Sequence, residues 1–447
     1  MPERPAPTAS LPPGYRFRDL GPADQRDVLT LDGWAFPTGA SVESLAEAPS
    51  PLSWDRAVGV FHDADDPDAV PVDGAVPVRS DLVGMHASYP FARFPVPGGT
   101  TRASGLTWVA VHPGHRRRGL LTAMIDAHVS RSLARGEAVS VLFAAEATIY
   151  GRFGYGVAAQ DLRLTVPRRA ALRDVPGAAE HTVRIETVDP DRHAALCEDL
   201  HERAGRDVGG SGLNRPGWVS RETSELRRYF WTDHEATREG REPQRIVIVE
   251  RDGEPRGYTT FRRKLSWETL GARGWVSGGE VVALDAAAAK ALYDVLLDLD
   301  LTDEVRPFMI APDDPLVHLL ASYRGAAPTL YDNLWVRLLD VPVALAARRY
   351  AGEVDVVLEV RDALLPANAG RWRLRASAFE DGVSAERTTD AADLSLDVRD
   401  LGSVYLGGPT LAALAGAGLV EVHSSGALAA ASAAFAWPVA PLSSWVF

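Results

Sequence analysis

The stretch VAVHPGHRRRGLL, residues 109–121, decides the reading of this chain. A run of small and β-branched apolar residues ends in His-Pro-Gly; three consecutive arginines follow, then a glycine and two leucines. Upstream, RASGLTWVAV (102–111) reads as a strand, with Leu106, Trp108 and Ala110 expected on one face. Downstream, Leu121, Met124, Ile125, His128 and Ser132 recur at helical spacing, and Gly136 marks the stop. A glycine turn feeding a helix leaves backbone N–H groups unpaired at the positive end of the helix dipole, which makes an anion site. Arginines beside it add charge-assisted hydrogen bonds to phosphate oxygens. Without an anion, three guanidinium groups there oppose the dipole. The stretch therefore suits a pyrophosphate, and the alternative is a solvated basic patch.

The same pattern returns further on. GWVSGGEVVALDAAAAKALYDVLLDLD (274–300) repeats strand, short connection and helix, which predicts a duplication at domain scale. The second copy has Asp285 and alanines where the first has arginines and a glycine, so it is not expected to bind the same anion. RIVIVERDGEPRGYTTFRR (245–263) predicts a hairpin turning at Asp252-Gly253. SDLVGMHASYPFARFPV (80–96) predicts a strand, AVSVLFAA (138–145) a buried strand, and IYGRFGYG (149–156) a glycine-rich aromatic turn. The loop DVGGSGLNRPGWV (207–219) reads as flexible. A third unit is expected from LWVRLLDVPVALAARRY (334–350) onward, with strands at 354–360 and 371–377, and the arginine pair 348–349 as a solvated helix end.

Composition bounds the class. The 447 residues carry a net charge of −13, which argues against non-specific nucleic-acid binding. No apolar run reaches the length of a membrane span, and the proline-rich start is no secretory signal. Cys197 is the sole cysteine, so intrachain disulfides and multi-cysteine zinc sites are excluded. A cytoplasmic protein with no metal is expected.

The arginine run also resembles a known pattern. It is similar to the acetyl-coenzyme A loop of the GCN5-related N-acetyltransferases (GNAT), Arg/Gln-x-x-Gly-x-Gly/Ala, with Leu121 departing at the last position. That departure, together with IYGRFGYG, DNLWVRLLDVPVALAARRY, DLGSVYLGG (400–408) and a final phenylalanine, resembles the enhanced intracellular survival (Eis) family of acetyltransferases over essentially the whole chain. After a lead over 1–14 that its proline-rich composition marks as disordered, the resemblance implies an α/β fold of mixed sheets: an acetyl-CoA-binding domain over 15–160, a degenerate second copy over 161–338, and a sterol-carrier-protein-like domain over 339–447. It implies that Val109, Ala110 and Val111 bond the pantetheine through their backbone. Arg116, Arg117, Arg118, Gly119, Leu120, Leu121 and Thr122 would hold the pyrophosphate, and Ala145 and Glu146 would line the thioester end. A homohexamer is also implied.

Acetylating an amine needs a base for the amine proton and a donor for the leaving thiolate. Cys197 lies outside the motifs, so direct transfer is expected in place of an acyl-cysteine intermediate. The resemblance makes Tyr150 the acid and the α-carboxylate of Phe447 the base. A carboxyl terminus is ionised at neutral pH, and WPVAPLSSWVF is apolar to its very end, unlike a solvated tail. Asp32, Trp34 and Phe36 are candidates for the acceptor pocket, with a small-molecule amine (aminoglycoside-like, polyamine or lysine) as the partner. His112 and His115 flank the loop, where they could contact phosphate, with surface histidines as the simpler reading; Tyr155 is a weaker candidate than Tyr150, and it and His86 read as core. The competing reading is a non-catalytic protein holding an apolar ligand in its third unit.

Overall fold

The computed structural model describes residues 10–62, 82–269 and 271–447. Residues 1–9 of the expected lead, and residues 80 and 81 of the expected strand, lie outside these. The end of that lead is ordered: Leu11 packs beside Val60, Val83 and Leu120.

The first unit runs β1 (Tyr15–Asp19), α1 (Gln25–Ala35), α2 (Val42–Ala46), β2 (Val58–His62), β3 (Leu82–Val96), β4 (Gly99–Val111), α3 (Leu120–Ala134), β5 (Val139–Leu142), α4 (Ala147–Tyr150) and β6 (Gly156–Val157). The second runs β7 (Gln160–Arg163), β8 (Val166–Pro167), β9 (Thr182–Thr187), α5 (Pro190–Arg206), α6 (Ser224–Trp231), β10 (Arg245–Arg251), β11 (Glu254–Lys264), β12 (Trp267–Glu268), β13 (Gly271–Ala272), β14 (Trp275–Ala283), α7 (Ala286–Asp298), β15 (Glu304–Arg306), α8 (Pro315–Leu319) and β16 (Thr329–Asp332). The rest comprises β17 (Trp335–Leu338), α9 (Val341–Ala346), β18 (Val354–Arg361), β19 (Gly370–Ala376), β20 (Ser384–Arg387), β21 (Leu394–Asp397), α10 (Val398–Val404), α11 (Leu411–Gly416), β22 (Val420–Val422) and α12 (Ala427–Phe435).

The main sheets are β1-β2-β3-β4-β5-β17-β6, β8-β15-β14-β11-β10-β9 and β20-β19-β18-β21-β22. Strand β17, the end of the segment 161–338, thus pairs with the first unit's sheet, Trp335 opposite Leu142 and Leu338 opposite Val139. The first and third units also share one core: Phe94, Val96 and Val139 pack in the same cluster as Leu358, Leu374, Tyr405 and Phe435.

In β4 one residue breaks the alternation. Met85 pairs with Ala110 and Ala87 with Thr107, so His86 faces two residues of β4, and Trp108 takes a φ of 53°. This is a β-bulge, and a non-glycine residue at positive φ costs about 1–3 kcal/mol. The bulge reverses the facing of everything after it. Leu106 packs with Ile125 and Val129 of α3, whereas Trp108 and Ala110 pack with Val28 and Leu31 of α1. The three residues do not share a face, contrary to the alternation read from the sequence. In consequence Val109 and Val111 turn toward Leu120 at the start of α3.

Two further expectations are corrected. Arg348 is no solvated helix end: it is 1 % exposed and donates to the carbonyls of Val404, Tyr405 and Phe435. The loop 207–219 is pinned, because Asn214 exchanges hydrogen bonds with Val96 O (2.8 Å) and Gly98 N (2.9 Å).

Candidate active site

Strands β4 and β5 run parallel but pair only from Ala103–Gly105 to Val139–Val141. Beyond that point they part, and the wedge between them opens into a cavity of about 700 Å³. One wall is Val109, Ala110 and Val111, the other Ala145, Glu146, Ile149 and Tyr150; the start of α3 forms the end. Of the residues the sequence singled out, Arg116, Arg117, Gly119, Leu120, Leu121, Thr122 and Phe36 also line it, while Arg118, Asp32, Trp34 and Phe447 do not.

The anion site is built by the backbone. Arg117 and Gly119 have φ of 61° and 83°, and Gly119 is the N-cap of α3 with no side chain to cap it. Among the described residues, the amides from Arg117 to Thr122 find no hydrogen-bond acceptor. The space on the side-chain face of Gly119 is open. Arg116, Arg117 and Arg118 form no ion pair among the described residues. Free amides at a helix start with unpaired guanidinium groups beside them fit a diphosphate. In the second unit the equivalent helix start is already neutralised: Asp285 caps α7 by accepting from Ala288 N (2.9 Å) and pairs with Arg256.

Tyr150 sits at the far end of the wedge, 9 % exposed. Its phenol is pushed up to about 12 by burial and then by the Glu146 carboxylate. Tyr155 of the same turn and His86 of β3 are structural. Tyr155 is fully buried and hydrogen-bonds Ser140 Oγ (2.7 Å). His86 is buried against His128, and burial, then Arg131 and Arg135, push it down to about 3.

The last residue of the chain lies at the apex of the wedge. The Phe447 ring is 5.1 Å from Phe143, which follows β5, and 5.0 Å from Phe91. A Cβ added to Gly105, the last paired residue of β4, would come within 3.2 Å of that ring. Tyr89 stands edge-on to it at 6.3 Å.

The acceptor candidates separate. Phe36 faces the wedge. Trp34 is exposed and stands edge-on to His112 at 5.1 Å, on the outer side of the arginine loop. Asp32 has its carboxyl pushed up to about 6 by burial, and its charge raises the phenol of Tyr229, after burial. Cys197 is buried in the second unit beside Leu200 and Trp231, away from the wedge, and burial raises its thiol.

Sequence reasoning missed Ala35, Ile149 and Arg152, which line the cavity; of the two histidines that flank the loop, His115 lines it and His112 does not. Arg152 carried a signal, as the one charged residue of IYGRFGYG. Phe143, Phe91 and Tyr89, which hold the terminal ring, carried none, because nothing local tells a core aromatic from one facing a distant terminus. The described residues contain no cluster of three metal-ligating side chains, and no described helix is long and apolar enough to cross a membrane.

Comparison with known proteins agrees with this architecture. Residues 16–158 and 217–338 each match an acetyltransferase (GNAT) domain, and 341–444 match a sterol carrier protein domain. The chain is 41 % identical to an uncharacterized N-acetyltransferase of Streptomyces avermitilis, over 80 % of this chain and 85 % of that one. It is 37 % identical to N-acetyltransferase Eis of Mycobacterium tuberculosis, over 82 % and 88 %. The solved structure of Eis1 from Mycobacterium abscessus superposes with a TM-score of 0.74 at 31 % identity, covering 97 % of this chain and all of that one. Two GNAT domains, a sterol-carrier domain and this degree of identity make the chain an N-acetyltransferase of the Eis family.

Proposed function

We propose that the first unit binds acetyl-CoA in the β4–β5 wedge and transfers its acetyl group directly to a primary amine of a small molecule. When bound, acetyl-CoA supplies an activated thioester. Val109, Ala110 and Val111 hold the pantetheine by their backbone; the free amides from Arg117 to Thr122, with Arg116 and Arg117, hold the diphosphate. The carboxylate of Phe447 takes the amine proton, directly or through one water, as the nitrogen attacks the thioester carbon. Tyr150 gives its proton to the departing sulfur. A phenol near 12 stays protonated at neutral pH and donates as charge grows on a thiolate of ordinary value about 8.5.

The observation that carries this reading is the position of the chain terminus. Phe447 packs where the two strands of the wedge part, and Tyr150 lines the same wedge. The acceptor enters beside Phe36, with Asp32, Tyr89 and Tyr229 nearby; aminoglycosides, polyamines and lysine side chains share the amine this chemistry needs. Assembly as a homohexamer and a cytoplasmic setting belong to the same reading. A lipid-holding role for the third unit is less well supported, since its buried residues pack in one cluster with the first unit.

The test is thiol release from acetyl-CoA by untagged protein with a panel of aminoglycosides, polyamines and lysine peptides. Amine-dependent release is expected. Acetyl-CoA binding without release for any amine contradicts the assignment of the acceptor.

A further inference from the structure

The second unit has the wedge of the first but fills it differently. Strands β14 and β15 pair in parallel only over Trp275–Ser277 and Glu304–Arg306. Then β14 bulges: Phe261 pairs with Gly278 and Thr259 with Val281, so Thr260 faces both Gly279 and Glu280. In register from the last pairs before each bulge, Glu280 stands where the first unit has Val109, the start of the cofactor wall. Glu280 is 4 % exposed, and its Oε1 accepts from Arg221 Nη2 (2.8 Å) and Tyr258 OH (2.5 Å). Its Oε2 accepts from Ser444 Oγ (3.1 Å), three residues from the chain terminus. Leu442 and Ser444 line the cavity of about 210 Å³ in this wedge.

The tail is held by hydrogen bonds at Ala440 and from Leu442 to Trp445, and Phe447 by its ring contacts. Ala440 N donates to Asp313 (2.8 Å) and Leu442 N to Pro216 O (2.9 Å). Asn333, fully buried, grips Ser443 twice, accepting from its N–H (2.9 Å) and donating to its carbonyl (3.3 Å). His201 Nε2 meets Ser444 Oγ at 2.8 Å, and the Trp445 indole donates to Val219 O (2.8 Å). Asn333 is itself held by Asp161 Oδ2 (3.1 Å).

We infer that the degenerate unit is a clamp: its wedge holds the chain's own tail in place of a cofactor, and Asn333 and Glu280 are positioning residues that keep the Phe447 carboxylate at the transfer centre of the first unit. A carboxylate at the bulge suits this task, because it accepts the serine hydroxyl that a valine ignores. The inference rests on the proposed role of that carboxylate and adds how it is held.

The test uses full-length untagged protein and the variants Ser444→Ala, Ser444→Thr and Asn333→Ala, with melting temperature checked for each. Three quantities are measured: release of Phe447 by carboxypeptidase A, kcat, and the KM for acetyl-CoA. Ser444→Ala, which loses the contacts with both Glu280 and His201, is expected to release Phe447 at least about 10-fold faster and to lower kcat at least about 10-fold, with KM unchanged. Asn333→Ala is expected to do more, and Ser444→Thr, which keeps the hydroxyl, to restore both. Unchanged release in Ser444→Ala and Asn333→Ala overturns the clamp. Faster release with unchanged kcat leaves the clamp as a tail anchor but overturns the catalytic role of the carboxylate.

Discussion

The ring of Phe447, the last residue, meets that of Phe143 edge-on, with centroids 5.1 Å apart and planes at 80°. Phe143 follows the strand that forms one side of the wedge proposed to hold acetyl-CoA, so a residue 304 positions later in the chain packs at the apex of that wedge. The predictions below follow from that packing and from the free amides at the start of α3.

Tyr150→Phe removes only a hydroxyl that makes no hydrogen bond among the described residues. Stability should hold within about 0.5 kcal/mol, as for substitutions that break no packed contact. Loss of a general acid costs about 10²–10⁴-fold in rate. Steady-state thiol release should show that loss in kcat, with the KM for acetyl-CoA nearly unchanged.

Arg116→Ala and Arg117→Ala should behave oppositely. Each removes a charge-assisted contact to phosphate, worth about 1.5 kcal/mol at this exposed site, or roughly 10-fold in affinity. The KM for acetyl-CoA should rise by that factor while kcat stays close to wild type, and the difference should shrink as salt is added. A fall in kcat alone would place these arginines elsewhere in the mechanism.

Gly105→Ala tests the apex. The added methyl would overlap the Phe91 ring and press on the Phe447 ring. Overpacking of this kind costs about 1–3 kcal/mol. Because the strain falls first on Phe91, which packs against the terminal ring, and then on that ring itself, kcat should drop in protein that remains folded, as followed by circular dichroism alongside the kinetics. Full activity would mean that the ring can shift without consequence.

Asp32 predicts a pH effect on stability. Burial raises its carboxyl from 3.8 to about 6. Between those values the folded state binds more protons than the unfolded one, so the Asp32 contribution makes stability fall as pH rises through that window. Asp32→Asn removes this term. The melting temperature of the variant relative to wild type should therefore climb from pH 4 to pH 6.5. A constant difference would show that the carboxyl is not held in its neutral form.

Much of this was legible in the sequence, and the exceptions share a cause. Helix α3 follows from the spacing of Met124, Ile125 and His128, and the β10–β11 hairpin from Asp252-Gly253, since both depend on neighbours along the chain. The bulge at Trp108 does not, because the residue taking positive φ is a tryptophan, and tertiary packing imposes the conformation. Arg348 looked solvated because its partners, the carbonyls of Val404, Tyr405 and Phe435, come from the C-terminal ends of helices α10 and α12, distant in sequence. Strand β17 lies between β5 and β6 of the first sheet through pairings with residues distant in sequence, which no local pattern carries. At the site, the arginine loop and Tyr150 were readable as motifs, while the aromatic seat of Phe447 is a product of the fold.

The central claim is that the terminal carboxylate of Phe447 accepts the acceptor's proton. Its most direct test is a semisynthetic protein ending in a carboxamide, which keeps every atom of the ring and removes only the negative charge. Removing a general base should cost about 10²–10⁴-fold in kcat, with acetyl-CoA binding and melting temperature unchanged. A carboxamide enzyme that retains full kcat would contradict the account.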